Sequence, residues 1–217
     1  GDVVGCNLTC CFCWSWGRGS FTTAAGRFYR PMDVFRRLVS IASRRGYRLV
    51  RLSGGEPTLA RRHLLSLLDM FRETRYVFVL ETNGILLGAD RSYAEELARY
   101  RNLSVRVSLK GTGREEFHRL TQARPEAFDL QLKALENLLE AGMRPCTQVY
   151  PAVMLSFSTP DSYRMLLGRL RQIHPALAGC VDEEYVILYP QVVELMRRKG
   201  VKPRIAYRPD GVPEFMV

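Results

Sequence analysis

The sequence predicts an α/β fold built on a parallel sheet, and three observations carry that expectation. Short β-branched runs alternate with helix-like runs along the 217-residue chain. Each helix-like run is long enough to cross back over a sheet, so successive strands point the same way in right-handed βαβ units. The residues best suited to chemistry also fall just after the strand-like runs, where open parallel sheets and barrels place their sites. Six such units can form a doubly wound open sheet or a barrel-like arc.

In chain order, Val3-Val4 is a first short strand that leads into Cys6, Cys10 and Cys13. A Gly/Ser/Thr-rich loop over 15–31 follows. A helix is expected over about 32–45, with Met32, Phe35, Leu38, Val39 and Ala42 on one face and Gly46 as its stop. Strand 48–53 ends in Gly54-Gly55-Glu56-Pro57. Helix 58–74 leads to strand 76–81 and the turn Thr82-Asn83-Gly84, and helix 91–100 leads to strand 103–110. Helix 126–141 precedes strand 145–150, helix 160–173 precedes strand 185–189, and helix 190–199 precedes an extended tail from Lys202 to Tyr207. The predicted strand ends therefore carry Cys6 to Cys13, Gly54 to Pro57, Glu81 to Gly84, Ser108 to Lys110, Tyr150 and Tyr189. No boundary or repeat divides the chain, so residues 1–217 are read as one domain. The start at Gly1-Asp2, almost on the first motif, leaves room for a preceding segment.

Composition narrows the function classes. The chain is 47% hydrophobic and 25% charged, which is ordinary for a globular protein. No apolar run reaches the length of a membrane span, and the expectation is a cytoplasmic protein. The formal charge of +10 invites a nucleic-acid reading. The arginines are scattered over nearly every predicted helix, however, which favours a solvated, ion-paired surface. Four of six cysteines, Cys6, Cys10, Cys11 and Cys13, fall within eight positions, which suits a metal centre in a reducing compartment better than a disulfide framework. Cys146 and Cys180 read as isolated, buried structural thiols.

Cys6-x3-Cys10-x2-Cys13 turns three thiolates toward one centre and leaves a fourth corner without a protein ligand. Cys11 is set outside this group, because a one-residue gap to Cys13 suits such a loop poorly. Thiolates select zinc or iron–sulfur clusters. A closed zinc site normally shows a second paired knuckle, and none is present. An iron–sulfur cluster with one open iron is the preferred reading.

The cysteine motif followed one βα unit later by Gly54-Gly55-Glu56-Pro57 resembles the radical S-adenosylmethionine (SAM) superfamily over the whole chain. The resemblance implies a partial (βα)6 TIM-like barrel with mostly parallel strands. It also implies a [4Fe-4S] cluster on Cys6, Cys10 and Cys13, with SAM chelating the open iron. Phe12 is then an adenine neighbour, Gly54 to Pro57 bind the SAM amino group, and Lys110 pairs with its carboxylate. Asn83 and Ser108 reach the ribose or tail. Tyr150 and Tyr189 complete the cofactor-binding set, and with Trp14, Trp16 and Arg18 they are candidates for choosing the substrate. The implied reaction is reductive cleavage of SAM to a 5′-deoxyadenosyl radical that abstracts hydrogen, with an external donor such as ferredoxin or flavodoxin supplying the electron.

Within the superfamily, Glu81-Thr82-Asn83-Gly84 and Val107-Ser108-Leu109-Lys110-Gly111 look most like the glycyl-radical activating enzymes, typified by pyruvate formate-lyase activating enzyme. A peptide substrate follows from that likeness. Ser108, where those enzymes have aspartate, and Trp14, where they often have histidine, depart from it. A tRNA or small-metabolite substrate, of the wyosine or deazaguanine type, is the alternative. A structural zinc or electron-transfer iron–sulfur protein is the non-enzymatic one.

Overall fold

The computed structural model describes residues 1–15 and 26–213. Six parallel strands pair strictly in chain order: β1 (Asp2–Val3), β2 (Leu49–Gly54), β3 (Val77–Thr82), β4 (Leu103–Leu109), β5 (Val149–Met154) and β6 (Asp182–Glu184). A doubly wound sheet reverses its strand order part-way. This one does not, so the sheet curls in one direction as the partial barrel of the expectation.

Helices cover the outer, convex face: α1 (Pro31–Arg45), α2 (Arg61–Phe71), α3 (Ile85–Ala89), α4 (Arg91–Ala98), α5 (Arg114–Thr121), α6 (Ala127–Glu140), α7 (Pro160–Ile173) and α8 (Pro190–Arg198). Their boundaries follow local chemistry. Pro31 opens α1, and Gly46, at φ 70°, closes it by donating its N–H to Ala42. Thr159 and Ser162 form a reciprocal capping box on α7. Alternation along β2 turns Val50 and Leu52 into the core against the helices and leaves Leu49 and Arg51 on the concave side. Phe71, Phe78, Phe117 and Phe128 are fully buried between sheet and helices.

Several expectations are corrected. The run 58–74 is a 3-10 turn (Pro57–Ala60) followed by the shorter α2, because the carboxylate of Glu56 caps the turn at Thr58 N–H. The short α3 was not foreseen. Strand β5 starts at Val149 because 144–148 folds into a turn, with Gln148 and Val149 both donating to the Arg144 carbonyl. Tyr150 therefore sits near the start of a strand rather than at its end. The sixth sheet strand is Asp182–Glu184, and the expected strand 185–189 supplies β7 (Val186–Ile187), which pairs outside the sheet with β8 (Ala206–Tyr207) in the tail.

Cys146 and Cys180 are not buried thiols. They form a disulfide, with Cα atoms 5.6 Å apart, that joins the turn before β5 to the one before β6. The bridge closes a loop 34 residues apart in sequence around β5 and α7. Loop-closure entropy of that size corresponds to about 3–4 kcal/mol. Cys146→Ala is therefore expected to lower unfolding stability by about that amount, and denaturant midpoints should converge with those of the native chain once a reductant is added. An unchanged midpoint would exclude a stabilising bridge.

Candidate active site at the carboxyl ends of the strands

A cavity of about 770 Å³ opens at the carboxyl ends of the strands, within the usual size of small-molecule sites. Its wall includes Cys6, Cys10, Phe12 and Cys13 from the first loop, then Gly54 to Glu56, Asn83, Ser108, Lys110 and Tyr189. Pro57 is buried behind the wall, and Tyr150 lies off it toward the other end of the sheet. Trp14 stands 54% exposed at the rim. Trp16 and Arg18 lie outside the described residues.

Three contacts position the cysteine loop. First, the loop lies directly on the glycine pair. A Cβ on Gly55 would sit 2.0 Å from the Gly5 carbonyl oxygen, and one on Gly54, at φ +93°, 2.8 Å from the Val3 carbonyl oxygen. Glycine is required at both positions. Glu56 N–H donates to the Gly5 carbonyl at 2.7 Å. Second, the last carbonyls of α5, which lack partners within their own helix, accept from the loop: Leu120 from Cys11 N–H at 2.8 Å and Thr121 from the Thr9 hydroxyl at 2.9 Å. Third, the Asn83 amide donates to Asn7 Oδ1 at 2.7 Å.

Behind the glycines, Glu56 is buried and its carboxylate is engaged by its own fold. Oε1 accepts from Thr58 N–H, the Thr58 hydroxyl and the Thr82 hydroxyl, at 3.1, 2.6 and 2.7 Å. Oε2 accepts from Asn83 N–H at 2.7 Å. Each carboxylate oxygen offers about two acceptor sites; Oε1 is crowded by three donors, whereas Oε2, with one, keeps room for a further donor.

Sequence reading missed the charged wall opposite. Arg106 on β4 spans the concave face, reaching Glu184 and Asp182 on β6 at 2.6 and 2.7 Å and Glu81 on β3 at 3.5 Å. Arg51 also meets Glu81 at 3.2 Å. Ser108 donates to Glu184 at 2.9 Å, and Lys110 donates to Ser108 at 2.5 Å. Gln131, fully buried on α6, links the ends of β3 and β4 by donating to the carbonyls of Asn83 and Ser108 and accepting from Lys110 N–H. The only sequence signal for this wall is that Ser104, Arg106, Ser108 and Lys110 alternate along β4 and so share one face.

Burial pushes the Cys6, Cys10 and Cys13 thiols above their ordinary value, while Lys110 pulls each of them back. Burial also opposes the charge on Lys110, but Glu184 and the nearby Cys10 outweigh it and hold the ammonium above its usual range. Burial likewise opposes the charge on Glu184, yet Lys110 and Arg106 hold its carboxyl below the glutamate range.

The donor set fits a thiolate-bound group. Cys6, Cys10 and Cys13 are outside any disulfide and line one cavity. Cys11, 2% exposed, packs into the core and is off the cavity wall. Among the described residues, no three His, Cys, Asp or Glu side chains gather so as to hold a single metal ion. Phe12 presents an apolar face to the cavity and packs on Phe157, with ring centroids 5.6 Å apart.

A family model described as the Radical SAM superfamily matches residues 2–163. Among curated proteins, the chain is 26% identical over 218 residues to a probable GTP 3′,8-cyclase of Sulfurisphaera tokodaii, covering 94% of this chain and 65% of that protein. It is 30% identical over 168 residues to a probable GTP 3′,8-cyclase of Methanopyrus kandleri, covering 77% and 50%. The chain thus spans two thirds or less of the length of these relatives. Among solved structures, Streptococcus suis SuiB bound to S-adenosylmethionine matches with a TM-score of 0.62 at 21% identity, over 79% of this chain and 38% of that one. Archaeal TYW1 matches with a TM-score of 0.55 at 15% identity, over 90% and 68%. Both structural likenesses concern the fold. No helix among the described residues is long and apolar enough to cross a membrane.

Two outcomes follow for the site. Glu56→Gln cannot accept from every donor that the carboxylate serves. It is expected to cost about 2–3 kcal/mol of unfolding stability, the scale of one charge-assisted hydrogen bond plus a buried unpaired donor. Because Glu184 titrates lower in the folded chain, its stabilising contribution is complete above about pH 4.3 and is lost as the pH falls through the lowered value. Arg106→Ala removes part of that lowering and should move the acid limb of a stability–pH profile to higher pH. An acid limb that does not move would exclude this coupling.

Proposed function

The chain belongs to the radical SAM superfamily, whose members use a [4Fe-4S] cluster and S-adenosylmethionine, and we propose that it is a radical SAM enzyme with the cluster on Cys6, Cys10 and Cys13. The observation that carries this reading is that three unbridged thiols and the carboxyl ends of five strands wall one cavity. When bound, the cluster and SAM supply a one-electron reductive cleavage that is used to take a hydrogen atom from a substrate. An external donor such as ferredoxin or flavodoxin supplies the electron.

The chain's own residues bind and orient. Lys110, held by Ser108 and Glu184, offers its ammonium to the SAM carboxylate. The free acceptor site of Glu56 Oε2 and the carbonyls around Gly54 and Gly55 take the SAM amino group. Phe12 gives the adenine an apolar face. Asn83 and Ser108 supply hydrogen bonds to the ribose or tail, and Tyr189 lies at the cavity wall as a further contact. The curved sheet shields the reacting atoms from water on its side of the cavity.

For the substrate, the names of the sequence relatives favour a small molecule over a peptide, with a purine nucleotide as the first ligand to try. Among the described residues, Arg51, Arg106 and Lys110 are already matched by Glu81, Asp182 and Glu184. A nucleotide would therefore have to displace those pairs in order to seat its phosphates.

Anaerobic reconstitution should load roughly four iron and four sulfide per chain, and the reduced protein with SAM should release 5′-deoxyadenosine. Cys13→Ala should abolish cluster binding and Cys11→Ala should retain it. Zinc retention without iron uptake, or loss of the cluster in Cys11→Ala, would overturn the assignment. Transfer of deuterium between candidate substrates and SAM would then separate nucleotide, peptide and tRNA.

A further inference from the structure

We propose that the end of the sheet opposite the cavity is a docking face for a folded RNA, gripped through its phosphates. Five connections return the chain from a helix to the next strand (46–48, 72–76, 99–102, 141–148 and 174–181), and all lie at the amino ends of the strands. They carry Arg48, Arg72, Arg75, Arg99, Arg101 and Arg144, every one exposed, against a single carboxylate, Glu73. Among the described residues, only Arg72 of these six forms an ion pair, with Asp69. The last turns of α1 and α7 add Arg44, Arg45 and Arg171.

Cations are expected at helix carboxyl ends, where each macrodipole leaves roughly half a negative charge. Five helices ending here account for roughly two and a half charges. The nine arginines, less Glu73 and the last-turn carboxylates Asp69, Glu95, Glu96 and Glu140, leave four positive charges, still more than that. The excess marks a surface complementary to a polyanion.

The residue types favour phosphate. Guanidinium forks match phosphate oxygens two at a time. The planes of Arg72 and Arg75 lie over Tyr100 and Tyr76, at 5.1 and 5.4 Å from the ring centroids, which holds them in place. Tyr47, 57% exposed beside Arg48, offers a stacking surface for an unpaired base. The face is made of turns and helix ends, so no helix lies along it to enter a DNA major groove. Recognition by backbone and stacking is the RNA mode. Strands of six or seven residues, at about 3.3 Å each, put this face ~20 Å from the cavity, so a docked RNA leaves the cavity mouth open.

The inference does not depend on the proposed reaction and is tested without it. Fluorescence anisotropy of labelled, unfractionated tRNA with the full chain, across a salt series, should show log affinity falling linearly with log salt. The triple variant Arg75→Gln, Arg99→Gln, Arg101→Gln should flatten the slope by about 0.7–0.9 per arginine removed. The pair Arg48→Gln, Arg144→Gln should do the same from the two flanks of the face. Arg164→Gln, near the start of α7 at the cavity end, should leave the slope unchanged. No salt-dependent binding, or slopes unchanged in both multiple variants, would overturn the proposal. Displacement of the tRNA by polyglutamate at equal charge would overturn it in favour of an acidic protein.

Discussion

The site depends on one buried carboxylate. Glu56 draws donors from the turn after β2 and from the end of β3 onto a single group, so two neighbouring strands end at a fixed offset. Taking a carboxylate out of water costs several kcal/mol unless it is well paired, and four short hydrogen bonds offset that cost. From there the order passes outward. Asn83, whose N–H is held by Glu56, turns its side chain to Asn7 in the cysteine loop. The glycines before Glu56 let the backbone of that loop rest directly on β2. The Gly-Gly-Glu-Pro segment thus builds the cysteine loop's seat before it offers anything to a ligand.

Much of this was legible in the sequence, and what was missed has physical causes. β2, β3 and β4 stand out because their buried faces are apolar and their ends are marked by Gly54, Asn83 and Lys110. β6 is hidden because Asp182-Glu183-Glu184 is a run of carboxylates, and such a run reads as a solvated loop. It becomes a strand because Arg106 and Ser108 wait for it across the concave face, contacts 76 to 78 residues away in sequence. β5 was placed early because Pro145 to Tyr150 has strand-like composition, whereas the turn after Arg144 holds the sheet back until Val149. The disulfide escaped for the same reason as β6. Nothing local in Cys146 or Cys180 says that two αβ turns meet at one end of a barrel.

The same topology sorts the charge. Along the sequence the arginines look evenly spread, which argues for a solvated, ion-paired surface. In a singly wound βα sheet, however, every βα turn faces one way and every αβ turn the other. Among the described residues, the αβ turns hold six arginines of which only Arg72 is ion-paired, and the βα turns hold the thiols, the glycine pair and Lys110. Arginines evenly spaced in sequence are therefore gathered, six of them, on the turns of one end.

The concave wall bears on what the cavity can hold. In a closed barrel the interior is packed with branched apolar side chains, but here its upper layer is Arg51, Glu81, Arg106, Asp182 and Glu184. Removing Arg106, the most buried member, leaves the part-buried Glu81 and Glu184 short of their partner, at up to about 3–5 kcal/mol. The network thus resists rearrangement and fixes where Lys110 stands. A ligand that brings its own carboxylate to Lys110 competes with Glu184 at 4.0 Å, a contact long enough to yield. A ligand that needs Arg106 must break contacts of 2.6 and 2.7 Å. The geometry therefore separates two cations within one charged wall: Lys110 keeps only a long ion pair with Glu184, and Arg106 is committed to holding β3, β4 and β6 together.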